Sequence, residues 1–272
     1  MNLCDYNTIR DLLARHGFHF SKSMGQNFLI DPEVPRRIAE SSGADAGCGV
    51  LEIGPGIGPL TAELAQRAGK VVAVELDRAL LPVLAETMAP YPNVEIVPGD
   101  VLKLDLAALA AEKFSGLTPL VCANLPYNIT SPVLESLVET PCFTAFTVMI
   151  QREVARRLCA PQGSSDGSSF SLFLQYHMEV EPLFDVPPEK FLPSPKVTSA
   201  VIRCVRRERP AVDVEDEAFF FKVLRGGFLL RRKTLANSLS AALPHLPKET
   251  IQRVIAQAGL PADVRGERLR LG

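Results

Sequence analysis

Val50-Leu51-Glu52-Ile53-Gly54-Pro55-Gly56-Ile57-Gly58, residues 50–58, is the stretch whose reading decides the fold. The run from Gly49 to Ile53 is apolar apart from Glu52 and reads as a short buried strand. Glycines at 54, 56 and 58 follow at once, and a helical pattern opens at Leu60. Glycine lets backbone approach a ligand closely, and a helix start offers unpaired N–H groups. Strand, glycine turn and helix in that order are what a nucleotide-like ligand requires.

Working outward, strand and helix patterns alternate as far as residue 150. Strands are expected at 50–53, 71–75, 94–97, 119–123 and 143–150, with helices at about 60–68, 78–89, 105–113 and 131–139. The strands are near-continuous apolar runs, as expected where both faces of a parallel, doubly wound sheet are covered. Ligands of such sheets bind beyond the carboxyl ends of the strands. The glycine turn, Glu75, Asp100 and Asn124 all stand at such ends and are expected to converge.

The spacing bears on which ligand. A dinucleotide fingerprint, G-x-G-x-x-G counted from Gly54, would place its last glycine where Pro59 stands. The pattern present is E-x-G-x-G-x-G. Glu75, about 20 residues past the turn, is placed to take both hydroxyls of a ribose. Asp100 ends the third strand and is placed to accept from an adenine amino group. Together these ends suit S-adenosylmethionine better than a nicotinamide cofactor. The plainer alternative makes Glu75 and Asp100 surface turn carboxylates.

The chain has 272 residues, 47% of them hydrophobic, enough for one large domain and a small one. No apolar run reaches about 18 residues, so no membrane span is expected, and residues 1–10 lack the apolar core of a signal peptide. The formal charge of −2 hides an asymmetry: residues 1–180 sum to −7 and residues 181–272 to +5. An acidic body with a basic C-terminal part points to a directed phosphate-binding face. Six cysteines without a C-x-x-C pair argue against zinc and fit a reduced, cytoplasmic setting.

Thr8 to His16 reads as an amphipathic helix stopped by Gly17. Residues 20–29, Phe-Ser-Lys-Ser-Met-Gly-Gln-Asn-Phe-Leu, read on pattern alone as a connecting loop. Asp31 is the expected N-cap, with Pro32 at the first helical position, of a helix ending near Ser41. Residues 161–169 form a polar loop, and strands are expected at 171–180 and 197–205. Helical patterns then run over 216–230, 233–242 and 248–258. The expected division is a cofactor domain over 1–205 and a helical, RNA-binding domain over 206–272.

The chemistry is expected at Asn124-Leu125-Pro126-Tyr127, the end of the fourth strand. An adenine amino group is a poor nucleophile because its lone pair is delocalised into the ring. Two acceptors gripping its hydrogens favour a pyramidal nitrogen with the lone pair aimed at a methyl donor. The Asn124 side-chain oxygen is one candidate acceptor. The Leu125 carbonyl, turned outward because Pro126 disfavours helix at the preceding residue, is the other. Tyr127 offers a flat face for an extruded base. Phe191, between residues that Pro193 and Pro195 stiffen, is the candidate for the opposite face, against the alternative of a packed aromatic. Otherwise the tetrapeptide is a strand ending in a turn. Arg225, Arg231, Arg232 and Lys233 form a basic collar suited to phosphates, or a solvated helix end; Lys22, Arg152, Arg156 and Arg157 extend it.

Taken together, Gly25-Gln26-Asn27-Phe28-Leu29, Glu52 to Gly56, Val74-Glu75-Leu76-Asp77, Gly99-Asp100, Asn124 to Tyr127, Phe191 to Val197 and Arg231 to Leu235 resemble the ribosomal RNA adenine dimethylase family over nearly the whole chain. The resemblance implies a Rossmann-like, S-adenosylmethionine-dependent methyltransferase sheet with a small C-terminal helical domain. It implies cofactor contacts at Gln26, Asn27, Leu29, Gly54, Gly56, Glu75, Leu76, Asp100, Val101 and Asn124, which turns the 20–29 loop into a cofactor lid. It further implies dimethylation of two adjacent adenosines near the 3′ end of small-subunit rRNA, within a pre-ribosomal particle, by a monomer without metal or membrane. A non-catalytic RNA-binding assembly or transcription factor on the same fold is the alternative. Two departures stand out: residues 165–169 lack the arginine usual after the fifth helix, and the chain reaches Gly272 without the closing helix of relatives, which reads as truncation.

Overall fold

The computed structural model describes residues 1–18 and 26–271. The chain divides into two compact units, one of Met1–Ala155 with Glu181–Arg206 and one of Arg156–Val180 with Arg207–Gly272.

In the first unit, α1 (Tyr6–Arg15) starts where the Asp5 carboxylate accepts from the Thr8 N–H at 2.8 Å. It is followed by Gly17 in the left-handed region, φ +61°. β1 (Phe28–Leu29) and α2 (Glu33–Ser41) follow. The α2 cap is Pro32 rather than the expected Asp31. The Asp31 carboxylate instead accepts from the Glu33 N–H at 2.9 Å and pairs with the Lys190 ammonium at 2.6 Å.

The alternating stretch then runs β2 (Cys48–Ile53), α3 (Pro59–Ala65), β3 (Lys70–Glu75), α4 (Leu81–Thr87), β4 (Val94–Pro98), α5 (Leu106–Lys113), β5 (Thr118–Asn124), α6 (Thr130–Glu139) and β6 (Ala145–Gln151). All six β2 residues are buried, which explains a sequence apolar throughout except at Glu52. Next come α7 (Arg152–Leu158), α8 (Ser169–His177), β7 (Met178–Val186), β8 (Phe191–Leu192) and β9 (Ser199–Arg206). The large sheet has strand order β4-β3-β2-β5-β6-β9-β7. Its β4-β3-β2-β5-β6 portion is parallel, as expected, while β9 runs antiparallel to β6.

Two expectations need correction. Residues 171–180 are not a strand: α8 occupies Ser169–His177 and β7 begins only at Met178. The Ser168 hydroxyl accepts from the Ser171 N–H and the Ser171 hydroxyl from the Ser168 N–H, a reciprocal cap that starts a helix. Leu172, Leu174 and Tyr176 are all buried, so alternation there imitated a strand. The unit boundary also differs. Residues 156–180, expected in the cofactor domain, group with the C-terminal unit, and the divisions fall inside α7 and β7.

In that second unit α8 packs its Tyr176 ring 5.1 Å from Phe221 of α9 (Glu217–Phe228). α10 (Leu235–Ala242) and α11 (Lys248–Gln257) complete it around Leu235, Leu239, Ile251 and Ile255. Glycine is required where chains cross: a Cβ on Gly266 would lie 2.1 Å from the Gly227 carbonyl oxygen. None of the six cysteines is joined in a disulfide. Among the described residues no helix is long and apolar enough to cross a membrane, and no group of three or more His, Cys, Asp or Glu is placed to hold a metal.

Candidate active site

The carboxyl ends of β2, β3, β4 and β5 open on one cavity in the first unit, about 1030 Å³ with its mouth included. At the β2 end, Gly54, Gly56 and Gly58 have φ of +67°, +63° and +94°, conformations that side chains disfavour. The Gly54 N–H donates to the Val74 carbonyl at 3.0 Å, which ties the turn to the end of β3. Gly54 and Gly56 line the cavity.

Glu75 ends β3 and is 6% exposed. Its carboxylate accepts from the Asp77 N–H at 2.7 Å and from the Gly56 N–H at 3.4 Å. Burial raises its pKa, and those two N–H groups pull the other way. Leu76, beside it, is exposed at the rim. Beyond β4, the Asp100 carboxylate accepts from the Leu102 N–H at 3.1 Å and starts the turn that carries Val101 into the lining.

Asn124 is the last residue of β5, half-buried, opposite Met149 of β6. The Leu125 N–H donates to the Met149 carbonyl at 3.1 Å, which holds the turn against the sheet. Asn124, Pro126 and Tyr127 line the cavity; Leu125 does not, and its side chain is buried. Tyr127 is half-buried, and Phe191 is 3% exposed, so Tyr127 presents the more open ring.

Sequence reading missed how Phe191 arrives. β1 and β8 form a separate two-stranded antiparallel sheet, with Leu29 opposite Phe191 and Phe28 opposite Leu192. It joins two stretches expected as loops and brings Gln26, Asn27, Leu29 and Phe191 into one lining. Gln26 also donates to the Asp77 carboxylate at 2.7 Å. The expected contact Lys22 lies outside the described residues. Arg225, Arg231, Arg232 and Lys233 belong to the second unit and are all exposed.

Glu52 was visible in the motif but not singled out as a site residue. It lines the cavity at 1% exposure, and its Oε2 has no hydrogen-bond partner among the described residues. Burial pushes its pKa up to about 8, with Thr61 pulling the other way and the Glu75 charge adding to the rise. The folded chain therefore keeps a proton on Glu52 that the unfolded chain releases above its ordinary value of 4.5. That contribution is whole below the unfolded pKa and is lost as pH rises through the folded one. Wild type is expected to lose several degrees of melting temperature between about pH 5 and pH 9 that Glu52→Gln keeps. Parallel melting curves across that range, by scanning calorimetry, would exclude Glu52 as the titrating group.

Among the described residues, the ionisable side chains lining this cavity, Tyr127 apart, are all acidic: Glu52, Glu75, Asp77 and Asp100. A cation-bearing ligand fits such a lining, and a pyrophosphate does not.

Comparison with known proteins gives the same direction. The profile of the ribosomal RNA adenine dimethylase family matches residues 17–265. Proteins called ribosomal RNA small subunit methyltransferase A, from Bacillus mycoides and Bacillus cereus, are 46% identical over 269 residues, covering 97% of this chain and 92% of theirs. Among solved structures, the 23S rRNA methyltransferase ErmE superposes with a TM-score of 0.70 at 28% identity, covering 90% of this chain and 95% of its own. A dimethyladenosine transferase from Plasmodium falciparum gives 0.72 at 25% identity, over 89% and 92%. A profile match and near-half identity along almost the full length leave one assignment: the chain belongs to the ribosomal RNA adenine dimethylase family.

Proposed function

We propose that this protein transfers methyl groups from S-adenosylmethionine to the N6 of two adjacent adenosines near the 3′ end of small-subunit rRNA, two on each. The observation that carries the reading is the sharing of one cavity by Asn124 and Tyr127 with Glu75, Asp100 and the glycine turn. The acidic lining and the unpartnered Glu52 oxygen suit a ligand with a sulfonium and an ammonium group. When bound, S-adenosylmethionine supplies an activated methyl group. Glu75 takes the ribose hydroxyls, Asp100 the adenine amino group, and Gln26, Asn27 and Leu29 close over them. Asn124 orients the target amine, and Tyr127 stacks on the base, with Phe191 opposite. Adenine must leave its stack to reach them, so the substrate is a loop within a pre-ribosomal particle, in the cytoplasm. The protein acts as a monomer.

RNA is held by the second unit. It carries 14 basic and 10 acidic side chains against 15 and 21 in the first, a net +4 against −6. Its 163–166 loop lacks an arginine of its own, yet arginines reach it from elsewhere. Arg156 pairs with Asp166 at 3.4 Å, Arg231 donates to the Ser165 carbonyl at 3.5 Å, and Arg268 to the Gly163 carbonyl at 3.4 Å. Clustered like charge is unfavourable without a counter-anion, and an RNA backbone provides one.

The test is tritiated methyl transfer to unmethylated small ribosomal subunits at several salt concentrations, with the modified bases mapped. Expected are dimethylated neighbouring adenosines and, for Arg231→Glu with Arg232→Glu, a KM for the particle raised about tenfold with a flatter salt slope. Transfer to large-subunit rRNA alone would overturn the substrate assignment. An unchanged KM in the reversed variant would leave those arginines without an RNA role.

A further inference from the structure

Tyr127 is held at both ends. Its backbone begins the turn Tyr127–Ile129, after Pro126 at φ −56° and ψ 132°. The Ile129 N–H closes that turn on the Pro126 carbonyl at 3.2 Å. At the far end of the ring, the Tyr127 hydroxyl lies 2.8 Å from the Ser199 hydroxyl. Ser199 is completely buried, the first residue of β9, opposite Gln151 of β6. The Arg152 N–H donates to the Thr198 carbonyl at 3.0 Å and secures the same strand end.

β6 also pairs with β5, where Met149 stands opposite Asn124. One ladder, β5-β6-β9, therefore carries both Asn124 and the Ser199 anchor of the Tyr127 ring. A tyrosine at a cavity wall can swing about two side-chain torsions. A hydrogen bond at its tip, to the end of a paired strand, holds the first torsion and so the direction in which the ring projects. A buried hydroxyl without a partner is costly, so Ser199 suits its place because the tyrosine answers it.

We propose that Ser199 is a positioning residue for methyl transfer: its hydroxyl fixes the direction in which the Tyr127 ring projects and so the place of the stacked adenine. The inference rests on the reading of Tyr127 as the base platform. A displaced platform carries the amine away from the Asn124 oxygen and out of line with the methyl group. Such displacement lowers the rate of transfer and leaves the cofactor pocket at Glu75 and Asp100 untouched.

The experiment compares Tyr127→Phe, Ser199→Ala and the double variant in single-turnover methyl transfer to unmethylated small ribosomal subunits, with cofactor affinity measured by calorimetry. Each single change is expected to slow transfer about tenfold, with cofactor Kd within about twofold of wild type. The double variant should be no slower than either single, because both remove the same bond. Additive losses, or wild-type rates in both singles, overturn the inference. Should Ser199→Ala fail to fold, Tyr127→Phe decides alone: slowed transfer at an unchanged melting temperature supports the bond, and a wild-type rate sinks it. Tyr127→Ala separates this inference from the reading beneath it. Wild-type transfer in that variant removes the platform itself. Collapse there with wild-type Tyr127→Phe and Ser199→Ala removes only the role of Ser199.

Discussion

Asn124→Ala is expected to slow single-turnover methyl transfer about a thousandfold or more, while RNA affinity changes little. The amine of adenine is unreactive until its lone pair leaves the ring system. On the proposed reading Asn124 holds one of its hydrogens from the last position of β5, on a backbone tied to Met149 through the Leu125 N–H. Alanine retains the strand and removes only the acceptor. The asparagine is half-buried, so its loss opens no large core cavity and the fold is expected to survive. A neutral amide also suits the second transfer, when the nitrogen keeps one hydrogen: no charge is left uncompensated. Aspartate at the same position would add a fifth acidic side chain to Glu52, Glu75, Asp77 and Asp100 and is not expected to rescue. Normal turnover in Asn124→Ala would falsify the proposed grip.

Glu75→Ala is expected to raise the Kd for S-adenosylmethionine about a hundredfold by calorimetry, which corresponds to about 3 kcal/mol. The two charge-assisted bonds to vicinal hydroxyls proposed for Glu75 would account for that size. The carboxylate is presented by the Asp77 and Gly56 N–H groups, so alanine also leaves those two donors without their acceptor. Glu75→Gln separates the contributions: it retains an acceptor, loses the charge, and should sit nearer a tenfold loss. If all three proteins bind the cofactor alike, Glu75 has no part in holding it.

How much of this was open to a reader of the sequence depends on how far apart the participating residues lie along the chain. The β2 strand, its glycines and the α3 start are contiguous, and their apolar run and turn chemistry are local. The parallel portion of the sheet followed from alternation, and the convergence of Glu75, Asp100 and Asn124 from the rule that such sheets bind at their carboxyl edge. Residues 169–177 misled because a helix buried on several sides loses its 3.6-residue stripe, and its cap, Ser168 with Ser171, was the better signal. The β1–β8 pair was illegible for a different reason. Two-residue strands have no period, and only the fold sets Leu29 opposite Phe191.

By itself the sequence determined the α/β class, the glycine turn, the acidic and amide strand ends and, by resemblance, the family, since strand period, turn preference and motif spacing are properties of neighbouring residues. The tertiary structure alone decided that Glu52 carries a buried oxygen without a partner, that Ser199 meets Tyr127 across 72 residues, and that arginines from separate segments gather at a loop with none of its own. Burial, hydrogen bonding and charge proximity depend on distance in space, and the chain acquires those distances only when the sheet and the helices have packed.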